Sequence, residues 1–160
     1  MAENIYQSPA ADLSIEETKR GSPIKAVLIS AAVDIVGTLV GGTILGIGYG
    51  AILAANGISS DEIIKAGKNI ELYSAISILG MAFWSIISFY AGYLCAKIAN
   101  HMEYKIVAIT GAISVLFGLL LGSSRYSAIE NIFFCVLTLL CVYLGAWLHV
   151  RTKQKHNVGN

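Results

Sequence analysis

The chain has 160 residues, of which 56% are hydrophobic and 13% charged, more apolar surface than a water-soluble domain of that length can bury. The 11 Lys and Arg against 10 Asp and Glu leave a net charge of +1, which excludes the basic footprint of a nucleic-acid binder. The charges cluster beside long uncharged windows, so the expected solvent and first partner of the chain is the lipid bilayer.

Residues 1–23 read as a polar leader, expected on the cytoplasmic side. Its Glu3, Asp12, Glu16 and Glu17 make it unlike the basic start of a cleavable signal, and Ser14 to Glu17 has the spacing of a capping box. Ser22-Pro23 supplies an N-cap and a first-turn proline, opening a first membrane helix over 24–54. That run exceeds a bilayer of about 30 Å at about 1.5 Å per residue, so it must tilt or protrude. Asn56-Gly57 ends it, and a second capping box, Ser59 to Glu62, opens a short amphipathic turn that Gly67 is expected to break.

A second membrane helix follows over 70–99, a tight turn at Asn100 to Glu103, a third helix over 104–121 and a fourth over 128–150, launched by the Ser127 to Glu130 box. Residues 151–160 read as a basic tail. The fold class is therefore all-α, an integral membrane four-helix bundle with antiparallel neighbours.

Lys19, Arg20, Lys25, Lys97, Lys105, Arg151, Lys153 and Lys155 fall on one side of this topology, and only Lys65, Lys68 and Arg125 on the other. Both termini are accordingly expected in the cytoplasm. Segment 24–34 also aligns with 104–114, which matches Asp34 with Ser114 and Gly42 with Gly122. Two tandem helical hairpins related by an axis along the membrane normal would produce that match.

Two constellations carry functional expectations. In the first, Gly37, Gly41, Gly42 and Gly46 on the first helix, with Gly118 and Gly122 on the third, have GxxxG spacing that lets another backbone approach closely. They serve either packing within the bundle or association with a second copy or another membrane protein. In the second, Asp34 lies on the order of 15 Å along its helix from the cytoplasmic end. An ionised carboxylate at that depth costs about 3 kcal/mol or more unless it faces a polar interior. At matching depth stand the hydroxyls of Ser88, Ser114, Tyr90 and Tyr143, with no Lys or Arg to form a pair. Asp34, Ser88 and Ser114 therefore form a candidate proton or cation site, or else a hydrogen-bonded structural knot.

Cys95, Cys135 and Cys141 lie in apolar stretches without CxxC spacing or clustered histidines, so they read as packing residues and no metal or cofactor is expected. No Ser–His, paired-Asp or HExxH arrangement falls at membrane depth, so an enzyme is not expected.

The leader Asn4-Ile-Tyr-Gln-Ser-Pro-Ala resembles the Asn-Pro-Tyr-x-x-Pro-x-Ala opening of small bacterial inner-membrane proteins of unknown function, with Ile5 in place of the first proline. Ala91-Gly-Tyr-Leu-Cys-Ala-Lys97 is similar to the Gly-Gly-Tyr-x-Ala-Ala-Arg pattern of uncharacterised four-helix families of that kind. The resemblance implies four helices in a bacterial cytoplasmic membrane and brings no site residues. The first expectation for function is thus helix-mediated association. The alternative is a small proton- or cation-linked transporter or channel centred on Asp34.

Overall fold

A computed structural model describes residues 21–71, 73–122 and 126–158, without the side chains of 156–158. The leader with its Ser14 capping box, and Arg125, lie outside the described residues. Five helices follow one another: α1 (Pro23–Ala55), α2 (Ser60–Lys68), α3 (Ala75–Ala99), α4 (Glu103–Gly122) and α5 (Ala128–Val158). All but α2 are long and apolar enough to cross a membrane.

The starts of the helices are written locally. The Ser22 hydroxyl accepts from the Lys25 amide at 3.4 Å, and Pro23 occupies the first turn, where its missing N–H costs nothing. Glu62 reaches back to the Ser59 amide at 3.2 Å, and Glu130 to the Ser127 amide at 2.7 Å. Three boundaries differ from the sequence expectation. The amphipathic turn after Ser59 is a nine-residue helix that runs through Gly67, because one glycine costs a capped helix only about 1 kcal/mol. The second membrane helix starts at Ala75 rather than at residue 70. There Ser74 caps the Ser77 amide and the Ser77 hydroxyl donates to the Glu71 carbonyl, which holds 71–74 as a turn. The tail does not begin at residue 151 but continues α5 to Val158. The Arg151 guanidinium lies 5.0 Å from the Trp147 ring centre one turn back, and Lys153 pairs with Glu103 at 3.2 Å.

Hairpins close as the topology requires. Asn100 ends α3 in the left-handed conformation at φ 53, a position asparagine tolerates, and α4 starts three residues later. Contacts fix the directions: Gly37 meets Ile87 and Gly41 meets Phe83, so α1 and α3 are antiparallel. Trp84 meets Phe134 and Tyr93 meets His149, so α3 and α5 run parallel. Pro23 and Val158 therefore share one end of the bundle, the terminal end, and α2 lies at the opposite, loop end. The most extensive packing is between α3 and α5, then between α1 and α3. Among the described residues α1 and α5 do not meet, which puts them at opposite corners.

The packing reverses the soluble pattern. Ala26, Ala91, Cys95, Ala96, Ala99 and Ala146 are fully buried, while Leu120 is 82% and Ile129 80% exposed. Lipid is as apolar as leucine, so interfaces are built from small residues that bring backbones together, and the large side chains coat the outside. At Gly92 an added Cβ would meet the Val142 carbonyl, and at Gly145 the Phe89 carbonyl. Those two glycines set the close contact of α3 on α5.

The hairpin repeat is visible in the packing. Ser30 and Thr110, matched by the alignment of the first and third membrane helices, lie 3.2 Å apart. The order of buried, half-buried and exposed positions over 81–90 recurs residue for residue over 131–140. This matches Trp84 with Phe134 and Ser88 with Thr138. Two matched pairs, Ser30 with Thr110 and Trp84 with Phe134, meet one another, as they would if an approximate two-fold ran between two hairpins.

Candidate functional site

The bundle is unevenly filled. In its terminal half Ala26, Cys95, Ala99, Val107, Val142 and Ala146 pack into one buried core. A knot of buried hydroxyls joins them: Ser30 Oγ donates to the Ala26 carbonyl at 2.6 Å, and Thr110 Oγ1 lies 3.2 Å from both Ser30 Oγ and Cys95 Sγ. In the loop half the four membrane helices part around a cavity of about 370 Å³.

Asp34 lies at the deep end of that cavity. It is 3% exposed, and Ser88 Oγ donates to its Oδ1 at 2.8 Å. Among the described residues Asp34 makes no other hydrogen bond and no ion pair, and no Lys, Arg or His lines the cavity. The helix-turn spacing of Ser30, Asp34 and Thr38 puts all three on one inward stripe of α1. Ser114 Oγ, buried at 7% exposure, and Thr38 Oγ1 also line the cavity, and among the described residues neither has a hydrogen-bond partner. A buried hydroxyl without a partner costs about 1–3 kcal/mol. Two of them beside a carboxylate make a polar floor whose bonding capacity is not used up within the protein.

The walls are aromatic. Phe134 stands edge-to-face between Trp84, at 5.7 Å between ring centres, and Tyr126, at 4.9 Å, and Phe117 adds a fourth ring. Toward the loop end the lining turns polar again at Ser77 and Asn131.

The structure thus brings together the three residues expected to act with one another: Asp34, Ser88 and Ser114. It adds Thr38 and Thr138, which sequence reasoning missed. Thr138 stands at the place in the second hairpin that Ser88 holds in the first, though its hydroxyl bonds back to the Phe134 carbonyl at 2.8 Å. Tyr90 and Tyr143, expected as donors to Asp34, instead face outward at 54% and 38% exposure.

The glycines divide into two sets. Gly37 and Gly41 lie under Ile87 and Phe83 inside the bundle. Gly42 and Gly46 are exposed, with nothing within 4 Å of an added Cβ. Gly118 lines the cavity with the same open space, and at Gly122 an added Cβ would meet, among the described residues, the Tyr126 ring. Among the described residues no three His, Cys, Asp or Glu side chains gather as metal ligands. No protein-family model, curated protein or solved structure matches the chain.

Proposed function

We propose that the protein is a small cation- or proton-linked transporter or channel of the bacterial cytoplasmic membrane, with Asp34 as its binding group. The observation that carries this reading is a buried carboxylate that, among the described residues, has no cationic partner, at the floor of a cavity shared with two hydroxyls unpaired among those residues. A purely structural acid is expected to spend its hydrogen-bonding capacity within the protein. Here Ser88 takes one oxygen and the rest of the polar floor faces space. The Lys and Arg bias supports cytoplasmic termini, and on that reading the loop half with its cavity lies toward the opposite side.

The test is ion flux in liposomes under an imposed proton or sodium gradient. Wild type should dissipate the gradient, and Asp34→Asn, nearly isosteric and able to keep the Ser88 contact, should abolish flux while folding normally. Equal flux in both proteins would remove Asp34 from the mechanism.

A second reading is favoured by Gly42 and Gly46, a bare groove on the outward surface of α1 that suits a second copy or another membrane protein. Replacing both with leucine should abolish self-association, measured by cross-linking in nanodiscs or in cells. Unchanged association would set that reading aside.

A further inference from the structure

The chemistry of the cavity goes beyond a bare ion. Resting on the reading of Asp34 as a cation site, we propose that its ligand is a monovalent organic ammonium with an apolar or aromatic body. Three features of the lining converge on that class.

Among the described residues the floor offers one carboxylate and no balancing cation, so a single positive charge is what it can neutralise. Two full charges on the ligand would leave one uncompensated at membrane depth, and an anion would be repelled. Ser114 Oγ and Thr38 Oγ1, both buried and unpaired among the described residues, can accept from an ammonium N–H or turn their oxygens toward a methylated one.

Size comes second. The space of about 370 Å³ far exceeds a dehydrated alkali ion, and binding such an ion needs several oxygens closing on it. Asp34, Ser114 and Thr38 form a floor on one side of the space, while apolar wall makes up most of the rest.

Third, Trp84, Phe117, Phe134 and Tyr126 line the same cavity as the carboxylate. The edge-to-face stacking of Phe134 on Trp84 and Tyr126 fixes those rings without filling the space. Aromatic faces attract a cation and also accept an apolar body, whereas they give a small hydrated ion little. A lipid chain would suit the walls alone, and would leave the carboxylate and both hydroxyls buried against hydrocarbon.

The test uses purified full-length protein in phosphatidylcholine nanodiscs, with Trp147→Phe as background so that Trp84 is the sole indole reporter. Benzyltrimethylammonium is titrated against Trp84 fluorescence beside neopentylbenzene, its neutral shape match. The cation should bind saturably, about tenfold or more tighter than the neutral molecule, and Asp34→Asn should lose about that factor. Gly118→Phe, which grows into the cavity and keeps Asp34, should also lose it, so that the result does not hang on the folding of one variant. Equal binding of the two molecules, or unchanged affinity in both variants, would overturn the proposal. Asp34-dependent proton or sodium flux without ammonium binding would overturn it too and leave the broader transporter reading standing. Absence of both flux and binding would end both.

Discussion

Gly92 and Gly145 hold the α3–α5 contact by having no side chain. At each, a Cβ would fall against a backbone carbonyl of the facing helix, and backbone cannot swing aside as a rotamer can. Gly92→Ala should therefore destabilise the fold by about 2 kcal/mol or more. Gly42→Ala, with nothing within 4 Å, should be neutral or stabilising by up to about 1 kcal/mol through helix propensity. Unfolding midpoints in mixed detergent micelles measure both. The two glycines look alike in sequence, and Gly42 sits in the more conspicuous GxxxG run. What separates them is the rotation of each helix about its axis, and hydropathy does not encode it when lipid makes every face of a helix apolar. The same blindness explains the site. Asp34 was legible because a charge at that depth needs compensation, and Ser88 and Ser114 because they share its level. Thr38 and Thr138 were missed, and Tyr90 and Tyr143 wrongly included, because depth can be counted along the chain and facing cannot.

Among the elements, α2 has the weakest tertiary support, with no buried residue and, among the described residues, helix contacts to α1 alone. Its stability rests on its ends, above all on the Ser59–Glu62 capping box. The Ser59 hydroxyl and amide both donate to the Glu62 carboxylate and hold its pKa below the ordinary value of 4.5. A carboxylate with a depressed folded-state pKa stabilises in full above its unfolded value, and that contribution is lost as pH falls through the folded one. The amides of α2 should accordingly exchange faster as pH drops below about 4.5, after correction for intrinsic rates, while those of α3 do not. Glu62→Gln should flatten the dependence, as seen by hydrogen exchange of the two segments. The box itself was plain in the sequence, as were the caps of α1 and α5, because capping is a matter of a few neighbouring residues. The start of α3 was misplaced for the opposite reason. Ile70 prolongs the apolar run, and a hydropathy window does not register the Ser74 and Ser77 bonds that stop the helix short of it.

For the whole molecule, the two hairpins share a burial pattern over 81–90 and 131–140 and differ in chemistry. Asp34 has Ser114 as its counterpart and Ser88 has Thr138, so of the two matched inward positions one carries an acid and the other a hydroxyl. The terminal half is closed by alanines and by the Ser30–Thr110–Cys95 knot, and the loop half opens onto the acid. On the proposed transport reading solutes enter from the loop end, and two of the cysteines report on that asymmetry. Cys135 lines the cavity, whereas Cys95 is fully buried in the closed half. In single-cysteine variants reconstituted with known sidedness, a membrane-impermeant ammonium thiosulfonate should modify Cys135 when added at the loop end and not at the terminal end. Cys95 should stay unmodified from either, because thiol reaction needs access. Labelling of Cys135 from the terminal end would mean that the alanine core parts in the bilayer and that the passage runs through. On the proposed reading an open channel requires this, whereas a transporter held in its loop-open state would not show it. Mass spectrometry of the two variants therefore separates the two mechanisms that the floor of the cavity, taken alone, would serve equally well.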